Sequence, residues 1–287
     1  MKEKQPSIYL NVIDHSVSKE KFQLLYNEEL DLLETHPQPA EDDLDHYYES
    51  EDYISHTNTK RNTFEKVYHI IRGISLKRKV QLINSFHTSE KKLLDVGCGT
   101  GDFLLAAIKN GWQGVGVEPN VQARTLANQK TNNAVHESEF FFKLKPHSFD
   151  VITLWHVLEH IPNRDTYIKQ LSHLLKPEGH LIIAVPNYKA YDARHYKNFW
   201  AAYDVPRHLW HFSKTSISKL FSTQGLRVIK TKPMWFDAFY VSLLSEKYKT
   251  GKMKIMNAFF IGLLSNLKGL LSKEYSSHIY VLKSSKS

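Results

Sequence analysis

The 287-residue chain carries 38 Lys and Arg against 30 Asp and Glu, and it holds a single cysteine, Cys98. A lone cysteine excludes an internal disulfide and a cysteine-based zinc site, while the length exceeds what one doubly wound α/β domain needs, so one core domain with additions is expected. Residues 1–56 hold 4 basic and 14 acidic side chains, a balance of −10 that leaves +18 for the rest; this acidic arm either packs against the basic body, the favoured reading, or limits non-specific nucleic-acid binding by a body that faces an acidic partner.

In chain order, Met1-Lys2-Glu3-Lys4-Gln5-Pro6 lacks the apolar core of a signal peptide and no run of 18 apolar residues follows, so a cytoplasmic location is expected. Ser7 to Val12 reads as a short strand and Lys19 to Leu33 as a helix, which the prolines of His36-Pro37-Gln38-Pro39 end. An aromatic stretch, Tyr47-Tyr48 to Tyr53-Ile54-Ser55-His56, then leads into a basic amphipathic helix over Phe64 to Phe86.

Next come an apolar strand ending Leu93-Leu94-Asp95-Val96, a turn Gly97-Cys98-Gly99-Thr100-Gly101 and a helix start at Asp102. Alternate glycines let the backbone turn with positive φ and come close to a ligand. A second strand, Gly114 to Val117, is closed by Glu118-Pro119, which places a carboxylate 17 residues after Gly101 where it can accept both hydroxyls of a ribose. A dinucleotide fingerprint needs a glycine at position 102, but Asp102 stands there and would repel a pyrophosphate. It suits a cationic nucleoside, and the turn reads as a site for S-adenosylmethionine involving Asp95, Gly97, Cys98, Gly99, Gly101, Glu118 and Pro119. Cys98 reads as a small turn residue rather than a nucleophile.

Strand and helix patterns then alternate to residue 233, with strands near Asn133 to His136, at Phe149 to Leu154 and at His180 to Val185, which implies a parallel sheet with helices on both faces. At the carboxyl ends of these strands stand Glu137-Ser138 and Trp155, the last either walling the adenine or the methionine arm or packing in the core. His156-Val157-Leu158-Glu159-His160 puts three polar side chains on one helical face, either packed against neighbouring loops or available for catalysis or a metal. A long aromatic loop over residues 188–212 has the length of a lid, and its His208 or His211 can serve as general base, or cap the helix after Ser213.

From about Lys91 to Phe221 the chain resembles the class I S-adenosylmethionine-dependent methyltransferases. The aromatic N-terminal pattern and Asp204-x-Pro206-x-His208-x-x-His211-Phe212 are similar to the ubiquinone O-methyltransferase-like group, whose members carry a small N-terminal module. The resemblance implies a doubly wound, mostly parallel seven-stranded sheet, direct methyl transfer, S-adenosylhomocysteine as product, Ser138 and Glu137 against the adenine, and Mg²⁺ at the Glu159-His160 segment in some members. It also implies a zinc knuckle near residues 27–30, where this chain has Asn27, Glu28, Glu29 and Leu30, so the module is expected to be structural. The expected organisation is an accessory segment over 1–60 and a methyltransferase domain over 61–287.

The expected acceptor is a small-molecule hydroxyl, with His156, His160 and His208 meeting above the sulfonium and an unperturbed imidazole base making turnover rise between about pH 6 and 7. Tyr53, His56 and Arg78 are expected to close the site, Arg78 on the cofactor carboxylate. An insertion over 234–274 precedes the last strand, Ser277 to Leu282, and its segment 253–271 is amphipathic and lysine-flanked. That segment reads as too interrupted to span a bilayer, and it covers either the sheet or a dimer seam, or touches lipid or a lipid-like acceptor. A nucleic-acid methyltransferase using the basic body, a nicotinamide oxidoreductase and a non-catalytic binding module remain the alternatives.

Overall fold

A computed structural model describes residues 7–40, 43, 47, 63–88 and 90–285; Tyr53 and His56 lie outside the described residues. The N-terminal segment folds as an antiparallel meander of β1 (Ser7–Ile13), β2 (Lys21–Asn27) and β3 (Leu32–His36). This corrects the helix expected over Lys19 to Leu33. Phe22 and Leu24 are buried at strand spacing, and the chain reverses where Asn27 Oδ1 accepts from Leu30 N–H at 2.9 Å and Asp31 takes a left-handed φ of 56°. The turn chemistry of Asn27 and Asp31 wins over a helical reading of Glu28, Glu29 and Leu30.

Helix α1 (Thr63–Asn84) leads into the main sheet, whose strands are β4 (Lys92–Val96), β5 (Gln113–Val117), β6 (Val135–His136), β7 (Phe149–Trp155), β8 (Leu175–Pro186), β10 (Leu226–Pro233) and β11 (Ser277–Ser284). Their order is β10-β11-β8-β7-β4-β5-β6, and β11 alone runs against its neighbours. The expected mostly parallel seven-stranded sheet is therefore present. Helices α2 (Asp102–Lys109), α3 (Val121–Thr131), α4 (Arg164–Leu174) and α6 (Lys214–Ser222) connect strands, and two apolar clusters, one around Leu94, Ile152 and Ile183, the other around Leu93, Val151 and Ile182, seal the sheet's two faces.

The 188–212 segment is not an open loop. It forms α5 (Tyr191–Tyr196), two short 3-10 turns and the two-residue strand β9 (Trp210–His211), which pairs with β3. Tyr188, Tyr196, Trp200 and Tyr203 form a third apolar cluster with Val12, Phe22, Leu24 and Leu33 of the meander. The meander thus roofs this segment and makes it a fixed wall. Between β10 and β11 stands a hairpin of α7 (Asp237–Thr250) and α8 (Ile255–Ser272).

Candidate functional site

Strand order reverses between β4 and β7, since β5 and β6 are laid down on one side of β4 and β7 on the other. A crevice opens at the carboxyl ends of strands at such a switch point. Gly97, Gly99 and Gly101 all take positive φ there. At Gly97 a Cβ would come 2.4 Å from Val157 Cγ2, whereas at Gly99 it would enter open space, so the turn is closed on its inner side and leaves a cradle on its outer one.

The turn is stitched to β5. Gly97 N–H and Cys98 N–H donate to Val117 O at 2.8 and 3.2 Å, and Gly99 N–H donates to Glu118 Oε2 at 2.7 Å. Glu118 Oε1 also accepts from Asn120 N–H at 3.0 Å. Glu118 therefore shapes the turn, and each of its oxygens keeps a lone pair for a ribose hydroxyl. Burial pushes its carboxyl above the usual range, a cost that two more donors from a ligand would relieve. Pro119 is exposed and its carbonyl accepts from Arg124 at 2.8 Å. Burial likewise pushes the Cys98 thiol far up, which leaves no thiolate at neutral pH and fits a packing role. Asp102 is paired with Arg72, and with Lys130 at 2.8 Å.

Behind the turn, Asp95 is buried and accepts from Thr153 Oγ1 at 2.6 Å. Burial pushes Asp95 up and Lys79 down, and the two charges hold each other against that pressure. Lys79 Nζ also lies 4.3 Å from the centre of the Trp155 ring, and Trp155 meets Phe103 edge-on at 5.4 Å. Arg78, one position earlier on α1, instead lies over Phe236 at 5.5 Å. Lys79 is thus the α1 cation at the site, a residue the sequence reading missed because adjacent helical positions differ by about 100° and nothing local shows which one faces the sheet. Ser138 is half-buried at the start of a 3-10 turn after β6.

At the end of β7, His156 takes a left-handed φ of 58°, with its Nδ1 3.4 Å from Glu159 Oε1 and its Nε2 3.3 Å from Asp237 Oδ2. Burial would lower this imidazole, but the two carboxylates outweigh it and push it up to about 9. Residues 158–160 form a 3-10 turn rather than the expected helix face. Glu159 is fully buried and, among the described residues, neither of its oxygens accepts a hydrogen bond. Burial would raise its carboxyl, yet His156 keeps it low.

The wall meets this turn directly. His160 and His208 pack edge-on with ring centres 4.5 Å apart, Leu209 N–H donates to Glu159 O at 2.8 Å, and Trp210 Nε1 donates to Ile161 O at 2.9 Å. His160 Nδ1 lies 3.0 Å from Arg207 O and His208 Nδ1 lies 2.9 Å from Ala202 O. A carbonyl only accepts, so both imidazoles carry a proton on Nδ1, and His160, kept neutral by burial, has its lone pair on Nε2. Ligand atoms of Glu159, His160 and His208 all lie within 4.8 Å of one another. Burial and His208 push His160 down to about 4. His211 is buried on Thr35 Oγ1 at 3.0 Å, and Ser213 with Ser216, not a histidine, caps α6.

The family model described as a methyltransferase domain matches residues 68–231. Over 105 residues the chain is 31% identical to a ubiquinone biosynthesis O-methyltransferase of Serratia proteamaculans, a match spanning 34% of this chain and 44% of that protein. Among solved structures it resembles a methyltransferase of Thermotoga maritima described as a possible histamine N-methyltransferase, at TM-score 0.55 and 15% identity over 84% of this chain and 99% of that one. It also resembles the magnesium protoporphyrin IX methyltransferase of Synechocystis PCC 6803 with bound S-adenosylhomocysteine, at TM-score 0.54 and 14% identity over 82% and 95%. These two likenesses concern the fold. Because the family match covers more than half of the chain and lies across the sheet that carries the glycine turn, the protein belongs to the class I S-adenosylmethionine-dependent methyltransferase family.

Proposed function

We propose that the protein transfers a methyl group from S-adenosylmethionine to a hydroxyl oxygen of a small-molecule acceptor, releasing S-adenosylhomocysteine. The observation that carries this reading is the Gly99 cradle clamped by a buried acid that still has lone pairs to offer. When bound, S-adenosylmethionine supplies an electrophilic methyl on a sulfonium, so that an oxygen–carbon bond forms as the carbon–sulfur bond breaks. The protein's share is alignment and exclusion of water. The fixed wall over the β7 end serves the second, and the Trp155, Phe103 and Phe236 rings near the site suit an apolar, even lipid-like, acceptor.

Of the three candidate histidines, His156 is already protonated at neutral pH and ties the β7 end to α7. Burial keeps His160 neutral, so it can take the acceptor proton. Turnover is therefore expected to stay flat from pH 6 to 8 and to fall only as pH drops below about 5, instead of rising between 6 and 7. His160→Ala is expected to lower kcat about 10²- to 10⁴-fold while the cofactor Kd stays within a factor of about two. Calorimetry with S-adenosylmethionine followed by a screen of hydroxyl acceptors tests the whole reading: failure to bind S-adenosylmethionine would sink it.

A second reading rests on Glu159, whose buried carboxylate meets His156 at Oε1 but, among the described residues, has no donor at Oε2, and whose neighbours offer two imidazole nitrogens. One carboxylate with two imidazoles fits Zn²⁺, Mn²⁺ or Fe²⁺ better than Mg²⁺, which prefers an all-oxygen shell. The two uses of His160 exclude each other. If the second holds, protein purified without chelator carries close to one equivalent of such a metal and His208→Ala carries none, as measured by elemental analysis. A metal-free, active wild type leaves His160 as the base.

A further inference from the structure

Helix α8 is built inside out. Towards the protein it turns Ala258, Gly262, Ser265, Asn266 and Gly269. Ser265 Oγ donates to Asp192 at 2.7 Å and Asn266 Nδ2 to Trp235 O at 2.9 Å. A Cβ would come 2.8 Å from Phe239 at Gly262 and 2.7 Å from Tyr275 at Gly269, so the inner face is small because the helix lies close. Towards solvent it turns Ile255, Met256, Phe259, Phe260, Leu267 and Leu271, each between 50% and 88% exposed. A helix stabilised by water on its outer face shows the reverse pattern, and a continuous stripe differs from the scattered apolar residues of ordinary surfaces.

Charge says what covers the stripe. Lys249, Lys252 and Lys254 stand just before the stripe, Lys268 lies over the Tyr191 ring at 3.9 Å, Lys273 Nζ donates to Leu270 O at 2.8 Å, and no Asp or Glu occurs between 247 and 273. A second copy docked through the same face would set lysine-flanked edges against each other, a like-charge arrangement that disfavours the pair. An anionic lipid surface satisfies the apolar stripe and the lysines together. By length and composition alone α8 passes for a membrane-crossing segment. Its inner face, however, is hydrogen-bonded to the protein, so it would lie along a surface, ~27 Å long, rather than cross it.

We infer that α8 and its flanking lysines dock the protein in the plane of an anionic bilayer surface. This goes beyond the methyl-transfer reading and does not rest on it. The preceding helix, α7, begins at Asp237, whose carboxylate meets His156, so 14 residues of helix connect the docking hairpin to the candidate site.

The test is co-sedimentation of the full chain with vesicles of phosphatidylcholine alone or mixed with phosphatidylglycerol. Partitioning is expected to be at least tenfold stronger on the anionic vesicles and to weaken with salt. The variant M256S/F260S/L271S, which spares Phe259 because its ring stacks on Phe239, is expected to lose at least tenfold of that binding at an unchanged melting midpoint and unchanged S-adenosylmethionine affinity. K252E/K254E is expected to lose the preference for anionic vesicles. Wild-type binding by both variants, absence of binding to either vesicle, or a concentration-dependent dimer that the serine substitutions dissolve would each overturn the inference, the last by assigning the face to a second copy.

Discussion

Glu118→Ala is expected to weaken S-adenosylmethionine at least tenfold, since two charge-assisted hydrogen bonds to the ribose, each of about 1.5–3 kcal/mol, disappear. The protein itself is expected to lose about 1–3 kcal/mol, because the alanine strands Gly99 N–H and Asn120 N–H, which Glu118 now accepts at 2.7 and 3.0 Å. Calorimetry and thermal unfolding measure the two separately. Glu118→Gln keeps the shape and one good acceptor, so it separates a distorted turn from a lost ribose contact. If both variants bind as tightly as the wild type, Glu118 has no ribose role.

The second large effect lies away from the site. Asp31 accepts from Ser213 Oγ at 2.8 Å, from the hydroxyls of Tyr26 and Tyr188 at 3.0 Å each, and from Lys189 Nζ at 2.5 Å. Burial would raise its carboxyl, but these donors outweigh it and hold it at about 2. Asp31→Ala leaves a buried set of donors unmatched and is expected to cost about 3–5 kcal/mol. The acid limb of the stability curve carries the signature. With a folded value below the unfolded one, the stabilisation is complete above about pH 4 and is lost as pH falls to about 2, an amount of about 2 kcal/mol. Wild type should therefore lose stability more steeply than Asp31→Ala across that window in urea titrations. Parallel curves would show that the carboxylate is not held by its partners.

How much of this was legible in the sequence depends on how local the cause is. The glycine turn, the closing acid and the buried strands are written in short runs whose geometry is set by neighbours, and the structure has them at the expected positions. The meander was misread as a helix because Glu28, Glu29 and Leu30 have helical propensity, while the competing information resides in Asn27 and Asp31 as turn formers. Lys79 and Asp237 were invisible for a different reason. Each acquires its role from a partner far away in the chain, Asp95 and His156, and no spacing rule connects them. The pairing of His160 with His208 was anticipated, since both lie at strand ends; the shift of His160 away from neutral titration required knowing how dry the pair is.

The pairing of β3 with β9 has a consequence for how the molecule assembles. Thr35 meets His208 and His211 across 173 and 176 residues of chain. Closing so long a loop is entropically costly until the intervening sheet has already shortened the effective distance. During synthesis the first three strands emerge early, yet their fourth neighbour arrives only after the glycine turn, β7 and β8 have been made. The roof is thus a late-locking part that reports on completion of everything beneath it. By the same token it should be the first unit to open when the protein is stressed, carrying the site's wall with it while the seven-stranded sheet stays intact.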